Sequence, residues 1–336
     1  MFTGNGEALM SVVLVLGYTT LGILALCAVN LVYKTLQSRS RHDISGQWVV
    51  VTGCDSGIGQ GVVTALSKRG AKVVACCYTE NGASAARAAG ASWAPHFDLS
   101  DDAAVRDVAE KIQTQSHGAL WCVVHGAGTV LPGFVDYQPI NFYREVMAVN
   151  FFAPVLLTQK LLSALRRAKG RVVLVSSVDG IVSLPGNAPY DASKFAVEAY
   201  ADALRVELSF CGVGVSVINP ATMRTPMADS FFPAHRKTWD AMAAAEPEGD
   251  WQTLWPESWL NQYVEKNAQQ LRSIAEDPAA AVNDIVHAVT AVHPKLRYLS
   301  GRLAKTLFYA LWLMPESWSL RFKRLTVQPR PPRSST

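Results

Sequence analysis

Residues 48–59 read Trp-Val-Val-Val-Thr-Gly-Cys-Asp-Ser-Gly-Ile-Gly, and this stretch decides the fold of the chain. The valine run predicts a buried strand, and the glycines that follow it predict a tight turn into a helix. At such a turn the free backbone N–H groups of the helix N-terminus point at a bound anion, and glycines let a pyrophosphate approach. The stretch therefore predicts a dinucleotide site formed by Thr52, Gly53, Asp55, Ser56, Gly57, Ile58 and Gly59.

Beyond this turn, short valine-rich runs alternate with longer helical stretches. The predicted strands are 48–52, 73–77, 120–125, 172–176 and 214–219, and the predicted helices are 58–68, 102–115, 142–166 and 190–210. Continuous apolar strands that alternate with helices are typical of a parallel sheet covered on both faces. We therefore predict an α/β fold, a Rossmann-type doubly wound parallel sheet with helices on both faces.

A long apolar segment precedes this domain. Residues 8–33 contain no acidic or basic side chain, and as a helix they extend to about 39 Å at 1.5 Å per residue, enough to span a bilayer. We predict an N-terminal transmembrane helix within an anchor at 1–34 and a linker at 35–47, with a cleaved signal peptide or a buried helix as the alternatives. Lys34, Arg39 and Arg41 follow the segment and Glu7 precedes it, which predicts a single pass with the main domain facing the cytoplasm.

The C-terminal half contains two unusual segments. Within the main domain, predicted at 48–300, residues 222–265 are rich in aromatic side chains and are predicted to form a lid. Trp251, Trp255 and Trp259 have the spacing of one helix face, which fits either a packing stripe or the wall of an apolar pocket. Residues 301–326 are apolar and basic, as in a segment that lies at a membrane interface, closes a pocket or packs as an ordinary helix. The tail at 327–336 is predicted to be disordered.

Composition limits the classes of partner. The chain has 336 residues, 17% charged side chains and a formal net charge of +4, and its middle contains no dense Lys/Arg stripe. We therefore expect no nucleic-acid partner. The six cysteines lie mostly in apolar runs without metal-ligand spacing, which predicts reduced, packed thiols and no metal site.

Tyr190 and Lys194 lie four residues apart on one predicted helix, so both side chains share a face. A phenol has a pKa of about 10 and is a poor base near neutrality unless a cation favours its phenolate. Lys194 is placed to do this. Ser177, at the end of the preceding strand, is placed to donate a hydrogen bond to a substrate oxygen.

The end of the second strand bears on the choice of cofactor. An acidic residue there binds the ribose hydroxyl of NAD, whereas a basic one accommodates the additional phosphate of NADP. The strand ends Ala75-Cys76-Cys77-Tyr78 and offers neither, but Asp55 lies in the nearby turn. NAD is therefore favoured, with NADP as the alternative.

Together these motifs resemble the classical short-chain dehydrogenase/reductase family. Residues 52–59 match its TGxxxGxG motif, and Asn150, Ser177, Tyr190 and Lys194 match its four catalytic positions. The resemblance implies that Tyr190 is the general acid/base, Ser177 orients the substrate oxygen, Lys194 lowers the tyrosine pKa and Asn150 holds a water. It also implies cofactor contacts at Cys77, Asp98, Leu99, Gly126, Ala127, Gly128, Pro220 and Thr225.

In finer detail the chain resembles the branch of retinol dehydrogenases, 17β- and 11β-hydroxysteroid dehydrogenases type 2 and D-β-hydroxybutyrate dehydrogenase. The resemblance implies a membrane-bound enzyme, placed at the endoplasmic reticulum, that acts on a lipophilic alcohol, with a steroid first and a retinoid second. It also implies a homodimer through helices 102–115 and 142–166. The alternatives are a D-3-hydroxybutyrate-type hydroxy acid dehydrogenase and an inactive binding or scaffold protein. The last is suggested by His125-Gly126 and Ala221, which depart from the family pattern.

Overall fold

The computed structural model describes residues 17–22, 25–26, 29 and 40–329. The chain divides into two compact units, one made of the residues up to Asp43 with Thr290–Pro294 and the other of Ile44–Val289 and the chain from Lys295. In the first unit, Arg41 forms an antiparallel bridge with Ala291. Residues 17–22, 25–26 and 29 are helical and exposed. The rest of the predicted anchor lies outside the described residues.

The larger unit contains a parallel sheet with the strand order β2-β1-β3-β4-β5-β6. The strands are β1 Trp48–Thr52, β2 Lys72–Cys76, β3 Cys122–His125, β4 Arg171–Val175, β5 Gly214–Pro220 and β6 Arg297–Ser300. The order reverses at β1, whose Val50 lies between Val74 of β2 and Val123 of β3. Loops that leave the carboxyl ends of β1 and β3 therefore diverge and open a crevice, as in other doubly wound sheets.

Helices cover both faces of the sheet. Among residues 40–329 the α-helices are α1 Gly57–Ser67, α2 Glu80–Ala88, α3 Asp102–Gln115, α4 Ile140–Met147, α5 Ala153–Ala168, α6 Ala188–Ser209, α7 Pro226–Ala245, α8 Trp251–Leu254, α9 Glu257–Ile274, α10 Ala279–Thr290, α11 Tyr309–Leu313 and α12 Glu316–Arg324. Val49 and Val51 pack in one core with Ile285 of α10, whereas Val50 packs in the other with Leu157 of α5. Because the central strands β1 and β3 are buried on both faces, their sequences are largely apolar. The predicted fold is confirmed.

One helical segment, Ile140–Ala168, is long and apolar enough to cross a membrane by length and composition. It comprises α4, a π-helical turn at Ala148–Phe152 and α5. Leu157, Leu161 and Leu165 on it are fully buried against the sheet. We therefore interpret it as a core helix of the domain.

His125, at the end of the central strand β3, is buried, and its Nε2 lies 2.8 Å from the Thr158 hydroxyl. Burial lowers its pKa to about 3, because the charged imidazolium would lose its hydration. The histidine is thus neutral and bonded within the core. Its contacts are those of a structural residue of the core.

The segment predicted to form a lid, residues 222–265, contains α7, α8 and the first part of α9, and these three helices are called the lid below. Trp251, Trp255 and Trp259 have the spacing of one helix face but do not share one helix, because Pro256 lies between α8 and α9. All three are buried in an aromatic cluster around Phe134, whose ring stacks on that of Trp255 at 4.3 Å between centroids. The tryptophans therefore hold the lid together.

The C-terminal segment folds back onto the domain. A π-helical turn at Ala304–Phe308 leads into α11 and then α12. The start of the tail, which was predicted to be disordered, makes hydrogen bonds to the lid. The Gln328 carbonyl oxygen accepts one from Asn267 at 2.7 Å, and the Pro329 carbonyl oxygen accepts one from Trp259 at 3.0 Å. Residues from 330 onward lie outside the described residues.

Candidate active site

A cavity of about 850 Å³ opens at the carboxyl ends of the strands. It is lined by predicted site residues from the segments that follow β1, β3, β4 and β5 and from helix α6: Gly53, Asp55, Ser56, Gly57, Ile58, Gly59, Gly126, Ala127, Gly128, Ser177, Tyr190, Lys194, Pro220 and Thr225. The topology brings these loops together because parallel strands present the same end to one edge of the sheet.

The glycine turn after β1 is closely packed. Gly53 has a φ of +75°, in the left-handed region, and a Cβ built on Gly59 would lie 2.0 Å from the Gly53 carbonyl oxygen. Thr52 joins this turn to the loop after β3, since its hydroxyl accepts hydrogen bonds from the N–H groups of Gly126 and Ala127, each at 3.1 Å. Glycines at the N-terminus of α1 leave the backbone N–H groups accessible, which fits the pyrophosphate of a dinucleotide.

The Asp55 carboxylate lies at the end of β2. It accepts hydrogen bonds from Tyr78 N at 2.8 Å, Thr79 N at 2.9 Å and the Thr79 hydroxyl at 2.8 Å. These bonds fix a negative charge where a doubly wound fold places the adenosine ribose.

Four predicted cofactor residues do not line the cavity: Thr52, whose hydroxyl binds the loop after β3, and Cys77, Asp98 and Leu99. Cys77 is buried in the core beside Cys54. Asp98 accepts hydrogen bonds from the Ser100 N–H and hydroxyl, each at 2.8 Å, and Leu99 packs against the opposite core cluster. Their predicted contacts with the cofactor remain predictions.

Ser177, Tyr190 and Lys194 converge on the inner wall of the cavity. Ser177 follows β4 and caps a 3-10 turn at Val178–Gly180, and α6 carries the other two side chains. The Lys194 ammonium donates a hydrogen bond to Val175 O at 2.9 Å and lies 5.4 Å from the centroid of the Tyr190 ring.

Burial dominates the ionisation of this pair. It raises the pKa of Tyr190 above the ordinary phenol range, with a further rise from Asp179 and an opposing effect of the Ser177 hydroxyl. It also lowers the pKa of Lys194 to about 8, against the opposing charges of Glu198 and Asp179. The protein alone therefore holds Tyr190 as a neutral phenol near pH 7.

Asn150 lies in the π-helical turn, buried behind the catalytic residues. Its Oδ1 accepts a hydrogen bond from Thr129 N at 2.8 Å, and its Nδ2 donates to Thr129 O at 3.0 Å and to the Ser193 hydroxyl at 2.9 Å. The side-chain amide therefore links the loop after β3 to α6.

Two polar residues of the cavity wall were not singled out by sequence reasoning. Asp179 and Asn187 lie in the segment between β4 and α6, and both side chains contribute to the lining. A single Asp in a short turn before a glycine belongs to no periodic pattern or motif that would indicate a place in the site. The only available signal was its position two residues after Ser177.

The outer part of the cavity is largely apolar. Phe231, Phe232 and Tyr263 of the lid form one side, and Phe308, Phe322 and Leu325 of the C-terminal segment form another. Ala221, one of the departures noted in the sequence, lines the inner end and packs with Val178 and Ala304. A lipophilic molecule would find mostly apolar walls here.

Comparisons with known proteins agree with this geometry. A family model described as short chain dehydrogenase matches residues 47–236. Retinol dehydrogenase 7 of Mus musculus is 33% identical over 281 residues, which cover 81% of this chain and 86% of the relative. The 17-beta-hydroxysteroid dehydrogenase type 6 of Bos taurus is 31% identical over 297 residues, covering 86% and 92%.

Solved structures share the fold at lower identity. A short chain dehydrogenase/reductase from Burkholderia phymatum in complex with NAD is 22% identical, with a TM-score of 0.66 over 87% of this chain and 99% of that one. A short chain dehydrogenase from Burkholderia cenocepacia in complex with NADP is 20% identical, with a TM-score of 0.60 over 85% and 100%.

Proposed function

This chain belongs to the short-chain dehydrogenase/reductase family, in its retinol and steroid dehydrogenase branch, and on that premise we propose that it interconverts an alcohol and a carbonyl on a steroid, with a retinoid as the second candidate. The observation that carries the proposal is the convergence of Ser177, Tyr190 and Lys194 at the inner end of an apolar cavity. Lipophilic substrates need such walls, and the reaction needs a proton donor at their end.

Each catalytic side chain has a proposed role. Ser177 donates a hydrogen bond to the reacting oxygen, and Tyr190 exchanges a proton with it. The neutral phenol held by burial suits proton donation to a carbonyl oxygen, whereas oxidation of an alcohol requires added positive charge near the phenol. Lys194 contributes part of that charge. A nicotinamide dinucleotide supplies or accepts the hydride when bound.

We propose NAD as the preferred cofactor. The glycine turn fits the pyrophosphate of either dinucleotide, and solved neighbours of the same fold bind NAD or NADP. The Asp55 carboxylate at the end of β2 favours NAD, because a second negative group on the ribose would be repelled.

We also propose that the protein lies at the endoplasmic reticulum membrane, anchored by residues 8–33, with the catalytic domain facing the cytoplasm. Exposed apolar side chains of the C-terminal segment support a membrane-facing surface, notably Leu313, Trp318 and Leu325. Arg321 and Arg324 lie beside them on α12, as in segments seated at a lipid interface. Lipophilic substrates partition into the same bilayer.

A homodimer through α3 and the helix formed by α4 and α5 is part of the proposal. The apolar side chains of Ile140 and Phe152 are 64% and 57% exposed on that helix. Burial of such side chains is what a subunit interface would provide.

The test is turnover by membranes that carry the full chain. Nicotinamide absorbance is followed with NAD and NADP on a panel of steroids and retinoids, and Tyr190→Phe is the matched control because it removes one hydroxyl. We expect the substitution to lower turnover by about 100- to 10,000-fold while nucleotide binding is kept. If wild type and variant are equally silent on every substrate while nucleotide still binds, the enzymatic proposal must be abandoned in favour of a binding protein.

A further inference from the structure

Asp179 places a carboxyl group beside the catalytic residues. Its backbone N–H donates to the Ser177 hydroxyl at 3.1 Å, and its partly buried side chain lines the cavity that also contains Tyr190. Burial raises its pKa to about 6, against the opposing influence of Ser177 and Lys194. At neutral pH the group is therefore mostly a carboxylate, which can only accept hydrogen bonds.

The Asp179 carboxylate is not held by a cation of the protein. In the part of the chain that the structure describes, no Lys or Arg forms an ion pair with it, and Lys194 instead donates to Val175 O. Ser177 is its one side-chain hydrogen-bonding neighbour among those residues, and that hydroxyl is also the group placed to meet the substrate oxygen. A carboxylate in a largely apolar cavity is costly unless a donor reaches it.

Asn187 adds a buried acceptor next to this wall. The residue is buried and lines the cavity, and its Nδ2 donates to Asp191 at 2.9 Å. Its Oδ1 has no hydrogen-bond partner among the described residues. Asp191 differs, because its other oxygen is satisfied by Leu184 N at 2.7 Å. Asp179 is therefore the carboxylate that lines the cavity, and Asn187 Oδ1 is a buried acceptor whose hydrogen bond is unsatisfied among the described residues.

We infer that Asp179 recognises a hydrogen-bond donor that the substrate carries next to its reacting carbon. The substrate class is a lipophilic alcohol with a neighbouring hydroxyl or protonated amine, a vicinal diol or an amino alcohol. This inference rests on the proposed function, since it assumes that the reacting carbon lies at Ser177 and Tyr190. The apolar outer walls accept the rest of the molecule.

Three probes of equal chain length separate the possibilities. Each probe has twelve carbons and a hydroxyl on the second carbon. The first carbon, which lies next to it, carries only hydrogen in one probe, a hydroxyl in the second and an ammonium group in the third. Their dissociation constants are measured by calorimetry with the full-length Tyr190→Phe variant in nanodiscs. The cofactor is bound, and the substitution prevents turnover. Turnover of the same probes is measured with Tyr190 intact.

We expect the diol or the amino alcohol to bind about 10- to 100-fold more tightly than the simple alcohol, since a bond to a charged acceptor has that effect. Asp179→Leu should reduce this ratio to about one. Asp179→Asn keeps a carbonyl oxygen but loses the charge. Its tighter binding of the diol over the simple alcohol should therefore be retained more fully than its tighter binding of the amino alcohol. Asp229→Asn is the control, because its carboxylate is 69% exposed on the lid and outside the cavity lining.

Equal binding of the three probes by the unsubstituted protein would overturn the inference, as would a preference that Asp179→Leu leaves intact. Absence of binding by all three would overturn the substrate class as well. A binding preference that depends on Asp179, without turnover when Tyr190 is present, would remove the proposed function and leave the inference standing. A circular dichroism melt of each variant identifies loss of folding.

Discussion

At the scale of single residues, Gly59 is the position where an added methyl group has the clearest consequence. Its Cβ would lie 2.0 Å from the Gly53 carbonyl oxygen, so the turn that approaches the pyrophosphate must move. We expect Gly59→Ala to weaken dinucleotide binding by about 100-fold and to lower the free energy of unfolding by about 1–3 kcal/mol. Binding is measured by calorimetry and stability by chemical denaturation.

Gly214→Ala is the matched control, because its added Cβ meets only Arg171 Cγ, at 3.8 Å. It should leave dinucleotide binding at the wild-type value. Equal loss in both variants would mean that the Gly59 turn has no special relation to the cofactor.

Asp55 supports a second prediction at this scale. Its carboxylate is fixed by two backbone N–H groups and the Thr79 hydroxyl at the end of β2. Asp55→Asn removes the charge but keeps an acceptor, so the ratio of kcat/KM for NAD over NADP should fall by about tenfold, equivalent to about 1.4 kcal/mol. Steady-state rates with both cofactors measure it, and the exposed Asp107→Asn should leave the ratio unchanged. A ratio that stays high in Asp55→Asn would place cofactor choice elsewhere.

Residues with a defined spacing could be predicted from the sequence, and isolated ones could not. Tyr190 and Lys194 lie four apart on a helix, and the glycine turn follows a valine strand, so local geometry placed them. Asp179 and Asn187 acquire their position only when the segment between β4 and α6 folds over the sheet. Their role depends on contacts between loops, which no local pattern contains.

At the scale of elements, the lid contains a buried histidine that makes stability depend on pH. His235 of α7 is fully buried, its Nε2 has no partner among the described residues, and burial lowers its pKa to about 3. Because the pKa is lower in the folded state than the ordinary value of about 6.5, acid favours unfolding. The stability that the neutral His235 contributes is fully present above about pH 6.5, and it declines as the pH falls from there toward 3.

When the pH is lowered from 7 to 5, we expect the free energy of unfolding to fall by about 2 kcal/mol less in His235→Leu than in the wild type. Chemical denaturation at the two pH values measures the difference. His117→Asn is the control, because His117 is exposed and asparagine tolerates its positive φ of 49°. Parallel pH dependence in wild type and His235→Leu would show that the lid histidine does not titrate on unfolding.

Elements with strong periodicity were predicted closely, and weakly patterned ones were missed. The five predicted strands correspond to β1 to β5 within two residues at each end. The edge strand β6 was missed because it has four residues and alternates in burial. Helix α2 was missed because its sequence Glu-Asn-Gly-Ala-Ser-Ala-Ala-Arg-Ala has no large apolar side chain to mark a buried face.

At the scale of the whole molecule, membrane binding should depend on both ends of the chain. We expect a variant without residues 1–33 to remain partly bound to vesicles containing anionic lipid, through the exposed apolar and basic side chains of the C-terminal segment. The further change Trp318→Ser with Leu313→Ser should lower the bound fraction several-fold. Sedimentation with vesicles measures it, and Val206→Ser, an exposed apolar residue of α6, is the control.

A shortened chain that stays entirely in solution would remove the interfacial role of the C-terminal segment. A bound fraction that is unaffected by Trp318→Ser and Leu313→Ser would place the contact with lipid elsewhere on the domain.

The C-terminal wall of the cavity also has a consequence for biosynthesis. Tyr190 and Lys194 are translated more than a hundred residues before Phe308, Phe322 and Leu325, which form part of the wall around the same cavity. A nascent chain can assemble β1 to β5 and their covering helices while the cavity still lacks that wall. Its apolar interior is then open to chaperones and to the surface of the bilayer. Completion of the catalytic chamber is therefore a late event in the maturation of this enzyme.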